Sequence, residues 1–121
     1  MRNLMVLVVD DNLVSRLLPG FMLKSLHPQV SVIDCENGDD ALSLIRSHPI
    51  THVLLDISMP NLNGIQTAYR IKEIEKSINI ELIAYTADAS MDDDHYLKSL
   101  GFNCALLKPI DRLSLFRVLG L

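Results

Sequence analysis

Cysteine is scarce: Cys35 and Cys104 are the only two in 121 residues, too few for a disulfide framework or a thiolate zinc site. Both fall in strand-like runs, where a cysteine reads as a small buried hydrophobe in a reducing compartment. The four histidines, His27, His48, His52 and His95, lack ligand spacing of the H-x-x-x-H kind and read as loop or surface residues. No apolar run reaches the roughly 18 to 20 residues that a membrane span needs. The opening MRNLMVLVVDD has one positive charge and a short apolar run that ends in two acids. A signal peptide carries a longer apolar region and a small-residue cleavage site, so this stretch reads as a strand and the expected location is the cytoplasm. Positive charge is in deficit as well, with 11 Lys and Arg against 15 Asp and Glu and a net charge of -4. Binding a phosphate backbone needs a basic patch, which argues against nucleic acid as a direct partner. Neither G-x-G-x-x-G nor G-x-x-x-x-G-K-[ST] occurs, so a nucleotide-binding reading has no support. There is no internal repeat, low-complexity segment or linker.

What is present is an ordinary globular composition, 49% hydrophobic and 21% charged, in a length that suits one domain spanning 1-121. Leu4 to Val9 is continuously apolar, the pattern of a strand covered on both faces. Asn12 to Leu26 shows helical spacing at Val14, Leu17, Leu18, Phe21, Met22 and Leu26, with a bend or break expected at Pro19-Gly20. Val30 to Cys35 is a second strand, followed by an Asn37-Gly38 turn. A helix then carries Asp39-Asp40 in its first turn, where acids suit the dipole, and stops before Pro49. Thr51 to Asp56 is a third strand and SMPNLNG a loop. Gly64 to Ser77 is a helix with a core stripe of Ile65, Ala68, Ile71, Ile74 and Ile78. Ile80 to Tyr85 is a fourth strand, ending before Thr86. A helix starts at Ser90 or Met91 and ends near Leu100-Gly101. Its run of acids, Asp92-Asp93-Asp94, reads as a solvated first turn rather than a second metal site. Asn103 to Leu107 is a fifth strand, Lys108-Pro109 a turn, and Asp111 to about Leu119 the last helix. Five strand–helix alternations predict an α/β fold, a parallel sheet with helices on both faces.

In such sheets ligands bind beyond the carboxyl ends of the strands, where the strand order reverses. The residues that end strands are therefore the ones to weigh: Asp10-Asp11, Asp56, Thr86 and Lys108. Taken singly, Asp10-Asp11 is a helix-starting acid pair, Asp56 a turn residue and Thr86 the start of a loop. Together they place three carboxylates, a hydroxyl and an ammonium on one edge. Three carboxylates in a cleft cannot all stay ionised without a cation, and oxygen-only ligands suit a hard ion such as magnesium. Lysine and threonine supply donors for phosphoryl oxygens, and an aspartate carboxylate is a competent nucleophile in phosphoryl transfer.

The ordered motifs VVDDN (8–12), LLDISMPNLNG (54–64), LIAYTADA (82–89) and LLKPI (106–110) resemble the receiver domain of two-component response regulators, over essentially the whole chain. The resemblance implies a flavodoxin-like (βα)5 sandwich with a five-stranded parallel sheet in the order 2-1-3-4-5. It also implies that Asp56 accepts a phosphoryl group from a phosphohistidine on a histidine kinase or histidine phosphotransfer domain. Asp10, Asp11, Asp56 and the Ser58 backbone carbonyl would hold Mg2+ or Mn2+. Lys108, in a turn whose bond to Pro109 is usually cis in this family, would contact the phosphoryl group. Thr86 would swing to bond it, with Ala87 leaving room, while Ser58 and Asp88 flank the site. The stretches DDNLVSR and AYTADA look most like receivers attached to hybrid sensor kinases, and any output domain is expected outside this chain. No enzymatic turnover of separate substrates is implied.

The pattern departs from the family at one place. Three residues before the lysine, receivers commonly carry Tyr or Phe; here that position is Ala105, and Tyr85 and Phe102 lie elsewhere on the motif. Either another residue reports the phosphorylated state, or output is weak and the domain chiefly passes phosphate onward. Two other readings stay open. Aspartate-nucleophile phosphatases of the haloacid dehalogenase type also place Asp after an apolar strand, but they want a second acid where this chain has Ser58, and a cap domain for which there is no room. A degenerate receiver that only binds a partner is opposed by the intact acid pair, Asp56, Thr86 and Lys108.

Overall fold

The computed structural model describes residues 3–58, 63–74, 79–89 and 93–121. Strand and helix alternate five times: β1 (Met5–Val9), α1 (Leu13–Leu26), β2 (Ser31–Cys35), α2 (Gly38–Ser47), β3 (His52–Leu55), α3 (Gly64–Glu73), β4 (Glu81–Thr86), α4 (Asp94–Ser99), β5 (Cys104–Leu107) and α5 (Arg112–Val118). The strands form one sheet, β2-β1-β3-β4-β5, and every neighbouring pair is parallel. This is the flavodoxin-like topology, with its order reversal between β1 and β3.

Two apolar layers sandwich the sheet. Alternate residues of each strand feed opposite layers because strand side chains have a period of two. Leu7, Val9, Val53, Leu55, Leu82 and Ala84 pack with Ala41 and Ile45 of α2, Ala68 and Ile71 of α3 and Leu97 of α4. Val6, Val8, Leu54, Ile83, Tyr85 and Leu106 pack with Leu23 of α1 and Leu115 of α5. The apolar runs of β1 and β3 are continuous because those strands are covered from both sides. Burial of each of these Val, Leu and Ile side chains stabilises the fold by about 1.5–3 kcal/mol.

Helix starts follow their caps. Asn12, Asn37, Asn63, Asp93 and Asp111 each sit at an N-cap and accept from a backbone N–H two or three residues on, which satisfies donors that the first turn leaves without partners. Asp39-Asp40 and Asp94 lie in first helical turns as expected. Asp92, and the expected helix start at Ser90 or Met91, lie outside the described residues.

Several local expectations are corrected. Helix α1 is one continuous helix with Pro19 inside it, not two pieces. Its buried side chains are Pro19 and Leu23, whereas Val14 and Phe21 are 71% and 68% exposed. The helical period was legible, but α1 has more apolar residues than one face can bury, and spacing alone does not say which face meets the sheet. In α3 the inward positions are Gly64, Thr67, Ala68 and Ile71; Ile65 is 37% exposed, one position off the stripe. Ser77 and Ile78 lie outside the described residues. Thr86 belongs to β4 as its last residue. His52 is buried in β3, with its Nδ1 2.8 Å from the Thr51 hydroxyl, so it is neither a loop nor a surface residue. The central strand is covered on both faces, and its polar side chain is buried with it.

Candidate functional site

Sheet register brings the strand ends together. Val9 of β1 is opposite Leu55 of β3, so Asp10 and Asp56 emerge side by side, with the Asp56 N–H donating to the Val9 carbonyl at 2.9 Å. Thr86 is opposite Leu107, and the Lys108 N–H donates to the Thr86 carbonyl at 2.7 Å. Lys108 thus enters from the far side of the same edge, across a cis bond to Pro109.

Asp10 is fully buried. Its Oδ1 accepts from the Asn12 N–H at 2.9 Å, and its Oδ2 takes the Lys108 ammonium at 2.7 Å. The same ammonium lies 3.9 Å from Asp56 Oδ2. Asp56 Oδ1 accepts from the Ser58 N–H at 3.0 Å. Thr86 makes the matching turn on its own strand, its Oγ1 accepting from the Asp88 N–H at 3.0 Å. That bond leaves the hydroxyl hydrogen free to donate elsewhere. Ser58 and Asp88 therefore orient the two strand-ending side chains through their backbones.

Burial raises the Asp56 carboxyl above its ordinary value, and the neighbouring Asp10 charge adds to the rise; the Ser58 N–H and the Lys108 ammonium oppose it. Asp10, the more exposed Asp11 and Asp56 each offer an oxygen, all within 4.8 Å of one another. An all-oxygen set whose two buried acids face, among the described residues, the single ammonium of Lys108 has the charge and chemistry for a hard divalent cation.

The structure brings together the side chains of Asp10, Asp11, Asp56 and Lys108, and Thr86 ends β4 at the same sheet edge, opposite the residue before Lys108. It adds three that sequence reasoning passed over. Arg16 reaches from α1 to the Asp10 carbonyl with its Nη1 at 3.3 Å, and pairs with Asp34 at 3.1 Å, tying α1 to the edge strand β2. Gly64 lets α3 start against the β3 loop: a Cβ there would collide with the Asp56 carbonyl and the Ile57 Cα. Tyr85 lies under the site, with the Lys108 ammonium 4.5 Å from its ring centroid and its hydroxyl donating to the Ser15 carbonyl at 2.9 Å. Burial, then the charges of Asp10 and Asp56, push its hydroxyl up to about 12. The signal for Tyr85 was available. A tyrosine inside a buried strand needs a partner for its hydroxyl, and Pro19 must leave the carbonyl four residues before it without a helical donor.

The model of the response regulator receiver domain family matches residues 6–119. The CAI-1 autoinducer sensor kinase/phosphatase CqsS of Vibrio cholerae is 33% identical over 108 residues, covering 88% of this chain and 16% of that protein. The chemotaxis protein CheY4 of Vibrio cholerae superimposes with a TM-score of 0.87 at 20% identity, over 98% of both chains. The Saccharomyces cerevisiae co-crystal structure of the histidine phosphotransfer protein Ypd1 with the receiver domain of Ssk1 matches with a TM-score of 0.80 at 25% identity, covering 93% of this chain and 83% of that one. Among the described residues no helix is long and apolar enough to cross a membrane.

Proposed function

Because this chain belongs to the receiver domains of two-component response regulators, we propose that residues 1–121 act as one phospho-accepting module that takes a phosphoryl group from a phosphohistidine onto Asp56. The observation that carries this reading is the placement of Lys108, whose ammonium sits 2.7 Å from Asp10 and 3.9 Å from Asp56, within reach of any group added to Asp56. An Asp56 carboxylate oxygen attacks phosphorus in line. The phosphorus–nitrogen bond breaks, its electron pair returns to the imidazole, and an acyl phosphate forms. Lys108 balances charge on the transferred oxygens, and Thr86 donates its free hydroxyl hydrogen to one of them.

Asp10, Asp11, Asp56 and the Ser58 carbonyl would hold Mg2+ or Mn2+, which supplies charge neutralisation at the phosphoryl oxygens. The phosphodonor docks on the exposed side of α1. Leu13, Val14, Leu17 and Phe21 present an apolar stripe there, and it begins one residue past the Asn12 cap, beside the acceptor. The donor is a histidine kinase or histidine phosphotransfer protein. The structural match to a receiver crystallised with such a protein supports this choice. The 16% coverage of a sensor kinase suits a receiver that serves a larger, cytoplasmic signalling assembly, with any output domain outside this chain. The module turns over no separate substrate.

The test is incubation with Mg2+ and acetyl phosphate, followed by intact mass. One labile phosphoryl adduct, absent in Asp56→Asn and in excess chelator, is the expected result. Steady hydrolysis of unrelated phosphomonoesters would favour a phosphatase instead. A chain that takes no label would be a binding scaffold only.

A further inference from the structure

The aromatic ring missing at Ala105 is answered by one on the opposite face of the same strand pair. Ala84 and Ala105 are register partners and lie toward the layer of α2, α3 and α4. The next partners, Tyr85 and Leu106, lie toward α1 and α5. At this register the first face carries only the two alanine methyl groups. The second face has a rigid ring that touches the site at one end and α1 at the other.

Both ends of that ring are specific. The ring face meets the Lys108 ammonium at 4.5 Å, within the range of a cation–π contact. The hydroxyl donates to the Ser15 carbonyl at 2.9 Å. That carbonyl is open because its helical donor would be the N–H of residue 19, and residue 19 is a proline inside α1. The Ser15 carbonyl thus belongs to the first turn of the helix whose outer face carries Leu13, Val14 and Leu17.

We propose that Tyr85 is a positioning residue: its ring holds the Lys108 ammonium, and its hydroxyl carries the movement of that ammonium to the first turn of α1. This rests on the reading of Asp56 as phosphoacceptor. A phosphoryl group there adds negative charge beside an ammonium now closer to Asp10, and draws it toward position 56. The ring follows the cation and the hydroxyl moves with the ring, which has no internal torsion to absorb the shift. The phosphorylated state is therefore displayed on the α1 side, where the donor docks, rather than on the α4–β5 side.

The experiment compares wild type, Y85F and Y85L, each checked for cooperative urea unfolding. With acetyl phosphate and Mg2+, Y85L takes label about fivefold more slowly than wild type, the loss expected when one cation–π contact no longer holds the lysine. Y85F, which keeps the ring, restores the rate to within about twofold. With Mg2+ and beryllofluoride against Mg2+ alone, the Ser15 carbonyl 13C resonance shifts in wild type and stays still in Y85F. Wild-type labelling by Y85L, or an equal Ser15 shift in wild type and Y85F, overturns the proposal while leaving the Asp56 reading intact. If Y85L does not fold, the Ser15 comparison in Y85F decides alone. A wild-type chain that takes no label overturns both.

Discussion

The Tyr85 hydroxyl donates to the Ser15 carbonyl at 2.9 Å, the carbonyl that Pro19 deprives of its helical partner. Two residues 66 positions apart in sequence thus complete one hydrogen-bond account: an interior proline creates a vacant acceptor, and a buried tyrosine needs an acceptor. Tyr85→Phe should cost about 1–1.5 kcal/mol in urea unfolding, since it strands an acceptor. In the Pro19→Ala background residue 19 regains an N–H, and the same substitution should cost distinctly less. Equal costs in the two backgrounds, measured as a double-mutant cycle, would mean that the proline and the tyrosine are unrelated.

Lys108 is the only lysine or arginine side chain paired with Asp10 among the described residues, and Asp10 is fully buried. Lys108→Met leaves that charge alone and should destabilise the metal-free protein by about 3 kcal/mol. Mg2+ should then raise the melting temperature of the variant by more than it raises that of wild type. The cation takes over the neutralisation that the lysine performed. Calorimetry with and without chelator checks both statements.

Asp56→Asn should act in the opposite direction. The Asp56 carboxyl is raised in the folded protein, first by burial and then by Asp10, so the folded state holds that proton more tightly than the unfolded chain does. The stabilisation is fully present below the ordinary value of 3.8 and is lost as pH rises through the raised value. Without metal at neutral pH, Asp56→Asn should therefore melt above wild type, and the gap should close as the pH falls toward 3.8. Added Mg2+ should narrow it from the other side. A mutant that melts below wild type in chelator would contradict the crowding of Asp10, Asp11 and Asp56.

Gly64→Ala forces a methyl group against the Asp56 carbonyl and the Ile57 backbone. Neither is the movable end of a flexible side chain, so α3 or the β3 loop must shift. A loss of about 1–3 kcal/mol is expected, read from the urea midpoint. Slower labelling from acetyl phosphate should accompany it, because the displaced backbone carries the acceptor.

The sequence alone was enough to determine five alternating elements, a doubly covered parallel sheet and the strand-ending residues Asp10, Asp56, Thr86 and Lys108. Continuous apolar runs and 3.6-residue spacing are local consequences of covering a strand on both faces and a helix on one. What stayed hidden depended on which surfaces meet. Val14, Leu18, Phe21 and Met22 all belong to the apolar spacing read along α1, yet Leu18 and Met22 pack against the core while Val14 and Phe21 face solvent. His52 looks polar in a list and is buried by its place in the central strand. Ala105 announced that an aromatic was missing. Only the packed sheet shows the ring of Tyr85 on the other face, in contact with Lys108 and Ser15. Tertiary structure decided these points because register and facing are set by the competition of all elements for one core, and no window of sequence contains that competition.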